Sequence, residues 1–278
     1  MRGAVADLGV AQFHHAPGPV VPAGEIDGDE PQAQAGPRLL GADCMVVGAT
    51  ARNILSVAWF DRLPSRSTRD VDVAVATWEV FDRLTEGLTR RGGAHTFSVL
   101  IGKSPVEVDV VPYGGVETPD RSVLLPDDHL LNVLGIREAF DAADVVHLPG
   151  GVMVRVPTIP GLALLKIIAW ADRRLLSRRD ATDPDEILGW YAEGPFLEDL
   201  YEDTDLLARY DFDIVLVGAH QLGRDIAAIA GEQARAGVLS ILQDDDLHPR
   251  LAGDMGHAGT RDPRRIQALT DGVRGTWI

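Results

Sequence analysis

The segment "DVDVAV", residues 70–75, constrains the fold more than any other stretch of the chain. Val71, Val73 and Val75 alternate with Asp70, Asp72 and Ala74, and a period of two belongs to a β-strand, where residues i and i+2 share a face. One face is apolar and must be covered. The other carries two carboxylates in a row, which repel unless something positive lies between them. Hard divalent cations such as Mg²⁺ take oxygen ligands and would fill that place. A solvated edge strand satisfies the same pattern, so the rest of the chain has to decide.

A second aspartate strand favours the cation. In "VEVDVVPYGG", Asp109 stands between Val108 and Val110, with Glu107 assigned to the alternate face. A carboxylate projecting from an apolar strand is costly unless it is paired or bound to metal. Asp70, Asp72 and Asp109 on neighbouring strands would form a compact three-carboxylate site, able to take two Mg²⁺ ions, or one ion and a substrate phosphate. Upstream, the short apolar strand "CMVVG" runs through Gly48, Ala49 and Thr50 into a predicted helix, "TARNILSVAWF". Such a junction offers unpaired backbone N–H groups and a helix dipole, both favourable to an anionic phosphate.

Alternating strand and helix patterns extend from Leu39 to about residue 157. After the second helix, "WEVFDRLTEGLTRRG", "TFSVLIG" and "VEVDVVPYGG" read as a strand pair. "DHLLNVLGIREAFDAA" reads as helix, and "VVHLPGGVMVRVPT" as a hairpin turning at Pro149-Gly150-Gly151. From Pro160 onward the pattern is helical: a long helix over "GLALLKIIAWADRRLLSRRD", then stretches at roughly 184–203, 207–231, 233–243 and 262–275. Residues 1–38, rich in Gly, Ala and Pro, read as a flexible leader, 39–157 as one domain and 158–278 as a second, helical one.

Composition narrows the function classes. The formal net charge of −16 disfavours a surface that tracks nucleic-acid phosphates, so any polynucleotide partner must be held by a local basic patch. The single cysteine, Cys44, excludes an intrachain disulfide, fits a reducing cytoplasm, and lies in an apolar run that predicts a packed thiol. No stretch approaches the ~20 apolar residues of a membrane span. "GKS" at 102–104 is not a Walker A loop, because Phe97 stands where that loop needs glycine.

A Gly-containing strand-to-helix turn, D-x-D on a strand and a single Asp on a later strand resemble the nucleotidyltransferase superfamily with the polymerase-β-like fold. The helix beyond residue 157 narrows the resemblance. Leu162, Lys166, Ala169 and Arg173 fit L-x-x-x-K-x-x-A-x-x-x-R, and Arg179-Asp180 with Asp183 fit a following R-D-x-x-D. That set is similar to the fourth motif of the AbiEii/AbiGii nucleotidyltransferases, the toxins of type IV toxin–antitoxin and abortive-infection systems.

The resemblance implies an α+β fold: a mixed sheet flanked by helices, followed by a helical C-terminal domain. It also implies a cytoplasmic enzyme that moves an NMP from an NTP to an acceptor hydroxyl with Mg²⁺. Asp70, Asp72 and Asp109 would hold the metal and, with Lys166, form the catalytic set. Gly48, Ala49, Thr50, Arg69, Lys166, Arg173 and Asp180 would bind the NTP. The implied partners are an acceptor tRNA or protein and a cognate antitoxin, with no membrane. Residues seven apart on a helix return to nearly the same face, which places Lys166, Arg173 and Asp180 together, while Leu164, Ile168, Ala171 and Leu175 form an apolar stripe. Ala49 departs from the Ser or Gly common at the second position of the first motif, leaving Thr50 as the nearest hydroxyl. The long connection "DRLPSRSTR" should carry extra contacts, with Arg66 and Arg69 either reaching phosphate or merely solvating the loop. A small-molecule adenylyltransferase of the antibiotic-modifying type and a nucleotide-binding protein without turnover remain alternatives.

Overall fold

The computed structural model describes residues 20–22, 38–39, 43–64, 68, 70–101, 103–149, 151–175, 181–255 and 262–275. Of the predicted site residues, Arg69 and Asp180 lie outside this set, as do Arg66 and Arg179. The chain divides into two compact units, Met1–Thr158 and Ile159–Ile278.

The first unit is built on a mixed five-stranded sheet. Its strands are β3 (Cys44–Val47), β4 (Asp70–Val75), β5 (Thr89–Arg90), β6 (Thr96–Ile101) and β7 (Ser104–Pro112), in the order β3-β4-β7-β6-β5. Only the β4–β7 pairing is parallel; β3–β4, β6–β7 and β5–β6 are antiparallel. The alternation in "DVDVAV" is realised as predicted, with Val71, Val73 and Val75 at most 2% exposed.

Register aligns Val71 with Val108, and Val108 with Phe97, so these side chains lie on one face. Helix α2 (Trp78–Thr85) covers that face: Phe81 meets Phe97 edge-on at 5.9 Å, and Val80 and Leu84 are buried beside it. Thr77 caps this helix, its hydroxyl accepting from the Val80 N–H at 3.2 Å. Helix α1 (Gly48–Phe60) follows β3 directly and buries every residue from Thr50 to Val57.

A second sheet of the same unit pairs β1 (Val20–Pro22), β10 (Asp144–Leu148), β11 (Val152–Val156) and β2 (Arg38–Leu39), in the order β1-β10-β11-β2. Its central hairpin turns where Pro149-Gly150-Gly151 was predicted to turn it. Strand β1 falls within the stretch read as a flexible leader, most of which lies outside the described residues.

Two predicted helices are shorter than their patterns. The first ends at Thr85, because Gly87 takes φ +70° and the chain then enters β5. "DHLLNVLGIREAFDAA" divides into strand β9 (Leu130–Asn132), paired with β8 (Ser122–Leu124), and helix α3 (Ile136–Asp141). Gly135, at φ +87°, begins that helix and blocks its extension backwards.

The second unit is helical: α4 (Ile159–Arg173), α5 (Thr182–Trp190), α6 (Leu197–Glu202), α7 (Thr204–Arg209), α8 (Ile214–Ile229), α9 (Glu232–Leu242), α10 (Leu247–Met255) and α11 (Pro263–Arg274). The predicted helix over 207–231 is interrupted at Asp211 and Phe212, which take φ of 51° and 62°. Helix α10 was not predicted. Helices α8 and α11 cross closely at two glycines: a β-carbon on Gly223 would lie 2.2 Å from the Leu269 carbonyl oxygen, and one on Gly272 would lie 2.1 Å from that of His220. Among the described residues, no helix is long and apolar enough to cross a membrane.

The architecture is thus α+β, a mixed sheet flanked by helices and followed by a helical region.

Candidate active site

The site is assembled by strand register. Val47 pairs with Asp72 across β3–β4, and Asp72 pairs with Asp109 across β4–β7. Partner strands are about 4.8 Å apart, and register partners project to the same side of a sheet. Asp72 and Asp109 are therefore immediate neighbours on the face opposite the valines. Asp70 lies two residues along on that face, opposite Glu107. This corrects the assignment of Glu107 to the alternate face: it stands two residues from Asp109 and must share its side. Four carboxylates thus occupy two adjacent parallel strands.

Gly48 closes the row at β3. Its φ is +67°, and a β-carbon there would lie 1.8 Å from Asp72 Oδ2. Both the backbone and the neighbouring carboxylate therefore require glycine. Helix α1 starts at this residue with no side-chain cap and no acidic residue in its first turn. Its leading N–H groups and positive dipole end lie beside Asp72, where the helix dipole favours negative charge. Ala49 occupies the second position of that turn.

Thr50 and Thr68 brace Asp70. The Thr50 hydroxyl donates to the Asp70 backbone carbonyl at 3.0 Å, fastening the helix start to the strand, and the Thr68 hydroxyl donates to Asp70 Oδ1. Thr50 is buried in this structural bond, at 6% exposure.

One oxygen of Asp109, Oδ1, is buried and has no hydrogen-bond partner among the described residues. A buried carboxylate oxygen without a partner is one that a bound cation would satisfy. The donor set is entirely carboxylate, the chemistry preferred by a hard divalent ion. No three His, Cys, Asp or Glu side chains among the described residues are already gathered as a metal cage. Mutual repulsion accounts for carboxylates that share a face without converging.

Cys44, on the strand leading to this site, is 3% exposed, and burial, with the nearby Asp43 carboxylate, pushes its thiol up to about 11. It is a packed thiol, as its apolar setting predicted.

Lys166 and Arg173 belong to the second unit, on α4. Lys166 is buried, and its Nζ lies 2.6 Å from Asp183 Oδ2 on α5, whose side chain is 1% exposed. Lysine is almost never buried unless paired, and this pair satisfies that condition. Leu164, Ile168 and Ala171 of the predicted stripe are buried, whereas Leu175 is 78% exposed and Arg173 is also exposed. Lys166 and Arg173 therefore share a helical face but not an environment, since α4 ends at Arg173.

Sequence reasoning missed the continuation of the carboxylate row. Register carries it from Asp109 to Thr96 on β6, and from Glu107 to Ser98. Alternation within "TFSVLI" assigns Thr96 and Ser98 to one face, but only strand pairing reveals which face that is. The R-D-x-x-D spacing contains Asp183, but nothing in that spacing marks it as the partner of Lys166.

Among curated proteins, none matches the chain. Among solved structures, the E. coli MS115-1 CdnC:HORMA-deltaN complex matches at 12% identity with a TM-score of 0.22, covering 83% of this chain and 73% of that one. The family model described as nucleotidyl transferase AbiEii toxin, type IV TA system, matches residues 35–251, well over half of the sequence. The chain therefore belongs to the AbiEii nucleotidyltransferase toxin family, with a nucleotidyltransferase fold and activity.

Proposed function

We propose that the carboxylate face of the first unit is the catalytic centre of a Mg²⁺-dependent toxin-like nucleotidyltransferase, which takes an NTP as donor and a tRNA or protein hydroxyl as acceptor. The observation that carries this reading is the adjacency of Asp72 and Asp109 beside the start of helix α1 at Gly48. Asp70, Asp72 and Asp109 would hold the metal. When bound, Mg²⁺ would neutralise the triphosphate and polarise the phosphorus under attack.

The chain's own groups divide the remaining work. The N–H groups at the start of helix α1, at Gly48 and Ala49, bind phosphate oxygens and orient the triphosphate. Thr50 and Thr68 keep Asp70 in place. The acceptor hydroxyl attacks the α-phosphorus, its proton passes to Asp109, and the bond to the β-phosphate bridging oxygen breaks to release pyrophosphate. Catalysis of this kind is chiefly positioning and electrostatic stabilisation. The family motif adds Arg69, Lys166, Arg173 and Asp180 to the proposed NTP-binding set. A cognate antitoxin would restrain the enzyme, in keeping with its family.

The test is incubation of the protein with labelled NTPs, Mg²⁺ and total cell extract. Label entering RNA or protein, with release of pyrophosphate, supports the reading. Label entering only small molecules assigns the acceptor to that class instead, an outcome the net charge of −16 would suit. Absence of any transfer or pyrophosphate release contradicts it.

A further inference from the structure

The carboxylate row continues across the sheet and ends on an arginine. Asp72 is in register with Asp109, and Asp109 with Thr96. The next position lies on edge strand β5 and its continuation. Arg90 pairs with Phe97, and the Arg91 N–H donates to the Thr96 carbonyl at 2.8 Å, so Arg91 stands opposite Thr96. One line across the sheet thus reads Asp72, Asp109, Thr96, Arg91. A parallel line two residues along reads Asp70, Glu107, Ser98, Thr89. Arg91 bridges the two lines, its Nε donating to Ser98 Oγ at 3.3 Å. The face changes from acidic, to hydroxyl-bearing, to cationic across four strands, while Val71, Val108 and Phe97 occupy the reverse side.

We infer that Arg91, with Ser98 and Thr96, forms an anion-holding subsite for a backbone phosphate of a polynucleotide acceptor, on the same face as the proposed catalytic carboxylates. The inference rests on the nucleotidyl-transfer reading of that face. Two strand spacings separate Arg91 from Asp109, about 10 Å. This is longer than a side-chain contact and short enough for an acceptor end at Asp109 to place a neighbouring phosphate at Arg91. A guanidinium flanked by hydroxyls is a phosphate-binding arrangement, since all these groups donate hydrogen bonds to its oxygens. Ser98 orients the guanidinium from the side that faces Glu107, which keeps it on this face.

Exposed Arg90, beside it in sequence, lies over the Phe97 ring at 5.7 Å on the reverse side. It therefore adds positive field at the edge without competing for the same ligand. This is a local basic patch of the kind a chain with net charge −16 needs to hold a polyanion.

The experiment measures binding of fluorescently labelled bulk tRNA to the full chain, without NTP, as a function of salt. One phosphate contact contributes a slope of about 0.9 in log affinity against log salt, so Arg91→Gln should weaken binding about tenfold near 0.1 M salt and reduce the slope by about one. Arg91→Lys should restore most of the slope and only part of the affinity, because the fork is lost while the charge stays. Ser98→Ala should weaken binding less than Arg91→Gln. ATP binding, followed by calorimetry, should be unchanged in all three. Unchanged tRNA affinity and slope in Arg91→Gln, or wild-type protein that binds no tRNA, would overturn the subsite. Failure of the catalytic reading has a different signature: normal tRNA binding in the wild type with no pyrophosphate release from any NTP.

Discussion

Asp72 Oδ2 occupies the space that a β-carbon on residue 48 would need, at 1.8 Å. The glycine that starts helix α1 and the aspartate in the middle of β4 are thus two halves of one arrangement, brought together by the Val47–Asp72 register. Gly48→Ala has to adopt a positive φ, at a cost of about 1–3 kcal/mol, and also has to displace the carboxylate. Small displacements of reacting groups cost on the order of a hundredfold in rate. The variant should fold with a modestly lower Tm and lose at least that factor in pyrophosphate release. Near-normal turnover would show that Asp72 need not stand where it does.

Asp109 offers a separate test through stability. Its buried Oδ1 lacks a hydrogen-bond partner among the described residues, so the charge is a liability until a cation arrives. Asp109→Asn should melt at the same or a slightly higher temperature than the wild type without metal. The wild type should gain Tm on addition of Mg²⁺ and NTP, by mass action, and the variant should gain much less. Paired thermal melts with and without ligand check both halves.

The Lys166–Asp183 pair combines packing and chemistry in one contact. Lys166→Met deprives Asp183 of its lysine in a buried setting, which typically costs about 3–5 kcal/mol. Combining it with Asp183→Leu should recover much of that stability. If Lys166 also serves the triphosphate, the double variant should still be impaired at least a hundredfold, since electrostatic groups of this kind contribute on the order of 3–4 kcal/mol to a transition state. Recovery of both stability and turnover would make the pair purely structural.

His220 should govern part of the acid stability of the helical unit. Burial, then the charges of Arg224 and Arg209, lower its pKa to about 4 against the opposing influence of Asp271 and Asp203. Its Nδ1 lies 2.9 Å from the Tyr210 hydroxyl. A histidine depressed in the folded state is neutral there while the unfolded chain takes up a proton, so stability is lost as pH falls from about 6.5 toward 4. His220→Gln should flatten the decline of Tm between pH 6.5 and 4.5. An unaltered slope would place the titration elsewhere.

Much of this site was legible in the sequence, because its signals are local. The alternation in "DVDVAV" gave the strand and both faces, and the glycine after "CMVV" gave the strand-to-helix turn. Which strands would pair was not legible. Thr96, Ser98 and Arg91 join the row only through register, a long-range property that no short window of residues contains. The misplaced Glu107 is a different case, since the i, i+2 rule already put it beside Asp109. The helix endings that differed were set by backbone reversals at Gly87, Gly135, Asp211 and Phe212, two of them at residues that ordinarily avoid positive φ. Burial of Lys166 was likewise hidden, because helical spacing shows which residues share a face and not what packs against it.

The most direct test of the central claim is pyrophosphate release from each NTP by the wild type and by Asp72→Asn, with total cell extract as acceptor source, titrated with Mg²⁺. The account predicts Mg²⁺-dependent release by the wild type and no detectable release by a folded Asp72→Asn protein. Equal release by the two proteins, or release by the wild type that is indifferent to Mg²⁺, would contradict it.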